Sequence, residues 1–129
     1  MNASGQPRSV VLCIDDQATG LALRKLVLQK TGYRVLTATS AREALKIFRE
    51  NPVDVVLMED VVGDTGSSVL VPQMKRLKPA VPVAIYSADR PESLEGLRFA
   101  DMFITKLASI DELLRAIRRL LKVESSKAA

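Results

Sequence analysis

The sequence contains no histidine and no tryptophan, one cysteine, and few aromatic residues, which make up 4% of its 129 positions. Without histidine the chain can have no imidazole base, no phosphohistidine and no His-ligated metal. The lone Cys13 cannot form an internal disulfide, and we expect a small buried hydrophobe in a reducing, cytoplasmic setting. Residues 1–9 lack the apolar run of a secretory signal, and no apolar stretch approaches a membrane span in length, so we expect no membrane association.

Hydrophobic residues make up 47% of the chain, enough to bury one aliphatic core, and the length suits one domain. We expect a flexible lead over residues 1–9, the domain over residues 10–122 and a tail over residues 123–129. The net charge of +4 favours acidic partners, but so small an excess is typical of a solvated surface, and we expect no nucleic-acid binding. A basic docking protein is an alternative that rests on two basic patches, which we instead expect to be solvated faces of helices: Lys75, Arg76 and Lys78, and Arg115, Arg118, Arg119 and Lys122.

Short apolar runs predict five strands. The run at residues 53–59 is rich in β-branched residues and too short for a membrane span, which is typical of a strand buried on both faces. Similar runs occur at residues 10–14, 82–86 and 102–105. The mixed polarity of residues 33–38 indicates a strand at the edge of the sheet.

Amphipathic segments between these runs predict the helices. Residues 18–30 form the first, and Ser40 and Ser109 each begin a capping box that opens a later one. A third helix over residues 67–77 contains Pro72, so we expect a late start near Val71 or a kink. Residues 88–99 predict only a loop and a short, weak helix.

Strands and helices alternate five times, which predicts an α/β fold with a parallel sheet and helices on both faces. At this length the flavodoxin-like strand order 2-1-3-4-5 is the natural arrangement. In that order the first and third strands are neighbours, and polar residues follow four strands at one edge of the sheet. These residues are Asp15, Asp16, Glu59, Asp60, Ser87 and Lys106.

Carboxylates gathered at one edge repel one another, so such a site must protonate one, pair one or hold a cation. Oxygen ligands suit Mg²⁺. Carboxylates with Mg²⁺, a hydroxyl group and a lysine are the parts that a phosphoryl group needs for charge neutralisation and hydrogen bonding.

Four pieces of the sequence resemble the receiver domain of bacterial two-component response regulators, a CheY-like fold: VVLCIDD (10–16), PVDVVLMED (52–60), PVAIYSA (82–88) and ADMFITK (100–106). The resemblance implies a signalling module of a phosphorelay and not an enzyme. It implies Mg²⁺ binding by Asp15, Asp16, the acceptor carboxylate and the Val61 carbonyl. It also implies that Ser87 and Lys106 contact the phosphate and that Phe103 changes rotamer.

The acceptor position departs from the family pattern. Counting from Asp54 places Glu59, and not an aspartate, where the phosphoacceptor is expected. Its extra methylene would bring the carboxylate towards Lys106, as in a built-in mimic of the phosphorylated state, and would weaken Mg²⁺ binding. Residues 61–66 contain two glycines and are expected to form a loop. They lack the usual proline, so a shifted strand end would instead give Asp60 the acceptor role. Leu107 replaces the usual proline after Lys106, which predicts a trans peptide.

The expected function is that of a stand-alone receiver that acts by protein binding. The resemblance implies a sensor histidine kinase or phosphotransfer protein on one side. Downstream, it implies a partner protein bound by the fourth helix, fifth strand and fifth helix. Formation of a homodimer is also possible in this family. A small Mg²⁺-dependent phosphatase is the enzymatic alternative, but Glu59 is not the aspartate nucleophile such enzymes use, and no insertion is large enough for a cap.

Overall fold

The computed structural model describes residues 8–89 and 96–128. In chain order the elements are β1 (Val10–Ile14), α1 (Ala18–Lys30), β2 (Arg34–Ala38), α2 (Ala41–Glu50), β3 (Val55–Met58), β4 (Val61–Val62), β5 (Thr65–Gly66), α3 (Ser67–Leu77), β6 (Val83–Ser87), a 3-10 turn (Leu97–Phe99), β7 (Met102–Thr105) and α4 (Ile110–Ala128). None of the helices in these ranges is both long and apolar enough to cross a membrane.

Five strands form one parallel sheet in the order β2-β1-β3-β6-β7. This is the predicted flavodoxin-like order, with the first and third of the five strands side by side. β1 and β3 are buried along their whole length, whereas β2 is partly exposed and lies at the edge, as its mixed polarity predicted. The arrangement confirms the predicted fold class.

The core is divided between the two faces of the sheet because alternate strand residues point to opposite sides. One face packs Leu12 and Ile14 against α2 and α3, where Phe48 is fully buried. The other face packs Val11 and Cys13 against α1 and α4. Full burial of a side chain such as Phe48 stabilises the fold by about 1.5–3 kcal/mol. Helices therefore cover both faces, as predicted.

Both predicted capping boxes open their helices. The Ser40 hydroxyl accepts a hydrogen bond from the Glu43 amide at 3.1 Å, and the Glu43 carboxylate accepts one from the Thr39 amide at 2.9 Å. The Ser109 hydroxyl accepts one from the Glu112 amide at 3.1 Å. The two serine hydroxyls thus satisfy amides of the first helical turn, which have no backbone partner within the helix.

The expected late start of α3 is wrong, because one helix spans Ser67–Leu77 with Pro72 inside it, and the alternative of a kink stays a prediction. An internal proline costs a helix about 3 kcal/mol. Leu70, Val71 and Met74 are all fully buried against the sheet. Their burial stabilises the helix through packing and offsets the poor local propensity.

Residues 61–66 were expected to be a loop, but they form a small antiparallel hairpin of β4 and β5. Gly63 has φ +64° at the first of the two turn positions, where a type II′ turn requires a positive φ. The hairpin turns the chain sharply between the end of β3 and the start of α3.

Other boundaries differ by small amounts. β3 is shorter than predicted, and β6 begins at Val83 and includes Ser87. α4 continues to Ala128, through the segment assigned to a tail from residue 123. Of the expected weak helix at residues 88–99, residues 90–95 lie outside the described ranges, and residues 97–99 form the 3-10 turn. No described peptide bond is cis, so the bond before Leu107 is trans as predicted.

Candidate functional site

The carboxyl ends of the strands bring the predicted polar residues to one edge of the sheet. Glu59 follows β3 and is tied to β1 by its amide, which donates to the Ile14 carbonyl at 3.0 Å. Lys106 follows β7, and its amide donates to the Ser87 carbonyl of β6 at 2.9 Å. The strand ends are therefore fixed by backbone hydrogen bonds, and the side chains beyond them face a common edge.

Lys106 bridges two of the carboxylates. Its Nζ lies 2.8 Å from Oδ2 of Asp15 and 2.6 Å from Oε2 of Glu59, and 24% of its side chain is exposed. Burial by itself would lower the pKa of Lys106. The hydrogen bonds to Asp15 and Glu59, with the charges of both, outweigh burial and hold the pKa above its usual value of 10.5. Lys106 is therefore firmly cationic.

Asp15 is the most enclosed acid of the site, with 1% of its side chain exposed. Oδ1 accepts a hydrogen bond from the Gln17 amide at 2.9 Å, while Oδ2 contacts Lys106 and, at 3.3 Å, the guanidinium of Arg24. Burial raises the pKa of Asp15. The hydrogen bonds from Lys106 and Gln17, with the charges of Lys106 and Arg24, outweigh burial and hold the pKa of Asp15 below its usual 3.8.

Sequence reasoning missed Arg24 and Tyr86. The Arg24 side chain is 9% exposed, and its guanidinium lies 4.6 Å from the centre of the Tyr86 ring. A signal for Arg24 was available, because it stands three residues after Leu21 and four before Leu28, the two buried positions of α1. A charged residue within the buried stripe of a helix indicates a partner inside the fold.

The two adjacent acids after β3 make different contacts. Glu59 Oε1 accepts a hydrogen bond from the Asp60 amide at 3.1 Å, and its Oε2 pairs with Lys106. Asp60 Oδ1 instead accepts from the hydroxyl of Ser67 at 2.5 Å, and the Asp60 carbonyl accepts from the Ser67 amide at 2.7 Å. Asp60 therefore anchors the start of α3, a contact that sequence reasoning did not predict.

The predicted Mg²⁺ ligands are not assembled for a metal. Asp15 is paired with cations of the protein, and Asp16 Oδ2 accepts a hydrogen bond from the Gly63 amide at 2.8 Å. Glu59 is paired with Lys106, and Val61 belongs to the half-exposed hairpin strand β4. Within the described ranges, no three His, Cys, Asp or Glu side chains group together as a metal site would require. In this arrangement the donor set does not fit Mg²⁺.

The two predicted switch residues lie near the site without joining its ion pairs. Ser87 is fully buried at the end of β6, and its hydroxyl accepts a hydrogen bond from the Asp89 amide at 3.1 Å. Phe103 is half-buried in β7, in register with Ile85 of β6. The Ser87 hydroxyl is directed to the chain that follows its own strand.

Comparison with known proteins identifies the family. The response regulator receiver domain matches residues 11–118. KdpE, a transcriptional regulatory protein of Mycobacterium tuberculosis, is 31% identical over 113 residues, which are 85% of this chain and 50% of that protein. YbdJ, an uncharacterised transcriptional regulatory protein of Bacillus subtilis, is 29% identical over 115 residues, 88% of this chain and 50% of that protein. The chain belongs to the response regulator receiver family.

The fold agrees with this assignment. A CheY-like receiver domain protein from Methanospirillum hungatei has a TM-score of 0.86 at 24% identity, covering 94% of this chain and 99% of that one. The chain spans about half the length of the two curated relatives. Receiver domains are generally signal-transduction modules that interact with histidine kinases or phosphotransfer proteins and typically bind Mg²⁺ at the phosphorylation site.

Proposed function

We propose that this receiver domain carries Glu59 in place of the phosphoacceptor aspartate and signals by binding a partner protein without being phosphorylated. The observation that supports this most directly is the ion pair of Glu59 Oε2 with Lys106 Nζ at 2.6 Å. Glu59 follows β3 at the register that counting from Asp54 predicts. The lysine thus has a carboxylate partner at the proposed acceptor position without an added phosphate.

The length of the glutamate side chain supports a constitutive state. Phosphorylation switches proteins by adding local negative charge that a nearby cation can bind. Here Glu59, one methylene longer than aspartate, reaches Lys106 without any added group. The site therefore resembles a receiver whose charge change has been built into the sequence.

The contacts of Asp60 disfavour it as a conventional acceptor. Its carboxylate is hydrogen-bonded to Ser67, whose side chain is almost fully buried. Rotating Asp60 towards the site would leave that hydroxyl without its partner, at a cost of about 1–3 kcal/mol. Phosphorylation of Asp60 is therefore the competing hypothesis, and a direct experiment separates it from the proposal.

The same proposal includes the remaining family features. A histidine kinase or phosphotransfer protein is the expected upstream partner. The expected surface for a downstream protein consists of residues 88–99, β7 and α4. Weakened Mg²⁺ binding by Asp15 and Asp16 follows from their contacts with Lys106, Arg24 and Gly63. The proposal also includes a cytoplasmic location, which is expected from the lone Cys13.

The experiment is treatment with acetyl phosphate and a large excess of Mg²⁺, read by intact mass. Wild type, Asp60→Asn and Glu59→Asp are treated side by side. We expect no phosphate on wild type or on Asp60→Asn, and an added phosphate on Glu59→Asp, which restores an aspartate at the acceptor register. A phosphate on wild type that disappears in Asp60→Asn would overturn the proposal in favour of Asp60.

A further inference from the structure

Four charged side chains at the site neutralise one another. Asp15 and Glu59 supply two negative charges, and Lys106 and Arg24 supply two positive ones, all linked by contacts of 2.6 to 3.3 Å. Asp15, the acid at the centre, contacts both cations through the same oxygen, Oδ2. The network therefore leaves no unpaired negative charge at Asp15 to attract a metal ion.

We propose that Arg24 takes the place of a divalent cation beside Asp15, so that this receiver binds Mg²⁺ only weakly. The inference extends the proposed function, since it concerns the same site, and it states what stabilises the site when no metal is bound. A guanidinium keeps its positive charge at every pH at which proteins are folded. A divalent ion approaching Asp15 would meet this charge at close range, and repulsion of that kind weakens metal binding about tenfold or more.

Arg24 is fixed in place by its surroundings. Its side chain is mostly buried on the stripe of α1 that also carries the buried Leu21 and Leu28. The guanidinium lies over the Tyr86 ring of β6, in a geometry that favours a cation–π contact. Moving Arg24 out of the site to admit a metal would break the contacts with both Asp15 and Tyr86.

The second aspartate is also engaged. Asp16 Oδ2 accepts the 2.8 Å hydrogen bond from the Gly63 amide, at the turn of the hairpin between β4 and β5. Gly63 has the positive φ that this turn requires. A metal would have to compete with that bond for Asp16 as well as displace Arg24 from Asp15.

The test is a titration with Mn²⁺, a paramagnetic substitute for Mg²⁺ with the same preference for oxygen ligands. Free Mn²⁺ is measured by electron paramagnetic resonance, and competition with Mg²⁺ shows that the two ions share a site. The proteins are wild type, Arg24→Gln, which removes the charge, and Arg24→Lys, which keeps it. Lys25→Gln is the matched control, because it removes the same charge from the neighbouring position of α1.

We expect Arg24→Gln to bind Mn²⁺ at least about tenfold more tightly than wild type. Arg24→Lys and Lys25→Gln should bind as weakly as wild type. Equal affinity of Arg24→Gln and wild type, or an equal gain in Lys25→Gln, would overturn the inference. A submillimolar dissociation constant for Mn²⁺ in the wild-type protein would by itself overturn the inference, whatever the variants show. None of these outcomes involves phosphate, so the inference can fail while the acetyl phosphate result still supports the proposed function.

Discussion

Lys106 Nζ lies 2.6 Å from Glu59 Oε2, and this pair joins the ends of two strands that are not neighbours. Glu59 follows β3 and Lys106 follows β7, with β6 between them in the sheet. The ion pair therefore passes over the end of β6, where Ser87 lies. Breaking this ion pair would therefore remove a contact that links the carboxyl ends of β3 and β7 across β6.

The charge network predicts a specific loss of stability in acid. The carboxyl group of Asp15 has a lower pKa in the folded chain than its usual 3.8. Such a group stabilises the fold above its unfolded pKa, and the contribution disappears as the pH falls through the lower folded pKa. We expect the free energy of unfolding, measured with urea, to fall more between about pH 6 and about pH 2 in wild type than in Asp15→Asn.

Asp15→Asn is the appropriate comparison because it removes the titrating group and leaves every other carboxyl group in place. It should be less stable than wild type at about pH 6, where it loses the contacts of Asp15 with Lys106 and Arg24. Parallel pH profiles for the two proteins would show that Asp15 does not titrate differently in the folded and unfolded chains.

Gly96 is required by a close approach to α3. A Cβ at this position would lie 1.9 Å from Oγ of Ser67 and 2.7 Å from its backbone carbonyl carbon. Because the second contact is with the backbone, a side-chain rotation cannot relieve it. We expect Gly96→Ala to lower the free energy of unfolding by about 1–3 kcal/mol, measured by chemical denaturation.

Gly20→Ala is the matched control for that substitution. Gly20 lies in α1, and a Cβ there would have no atom within 4 Å. Alanine is the better helix former, so this variant should be as stable as wild type or more stable, by up to about 1 kcal/mol. If both variants had the same stability, the packing of Gly96 against Ser67 would not be as described.

Cys13 should be chemically inert in the folded protein. It is fully buried in β1, and burial raises the pKa of its thiol to about 12, so the reactive thiolate is scarce at neutral pH. We expect Ellman's reagent to react with Cys13 only in denaturant. Fast, complete reaction of the native protein would contradict the burial of β1, and a Cys13→Ser variant shows the background.

The elements that could be predicted are those with a strong local signal. The boundaries of β1 and β7 match the prediction because continuous apolar runs define them. The boundaries of α1 match as well, although its apolar residues are not confined to the buried face, since Leu23 and Leu26 are exposed. The assignment of Glu59 to the acceptor register, from its spacing to Asp54, stays a prediction. The hairpin of β4 and β5 was missed because strands of two residues carry almost no periodic signal.

The contacts of the site were harder to predict because they depend on how elements pack. Spacing in the sequence cannot show that Arg24 reaches Asp15, since that depends on how α1 lies across the sheet. Likewise, the bond from Ser67 to Asp60 forms only because the hairpin returns the chain to the end of β3. The continuous α3 depends on burial against the sheet, which offset the local effect of Pro72.

A double-mutant cycle between Glu59 and Lys106 tests most directly whether Glu59, and not Asp60, is the partner of Lys106. The free energies of unfolding of wild type, Glu59→Gln, Lys106→Met and the double variant give the coupling between the two side chains. A second cycle with Asp60→Asn in place of Glu59→Gln is the control. Because both cycles share Lys106→Met, loss of the lysine's contact with Asp15 cancels in each.

We expect a favourable coupling of at least about 0.5 kcal/mol between Glu59 and Lys106, which are both mostly enclosed. The coupling between Asp60 and Lys106 should lie within about 0.3 kcal/mol of zero, because Asp60 is bonded to Ser67. The reverse result, with coupling to Asp60 and none to Glu59, would contradict the account and place Asp60 at the acceptor position.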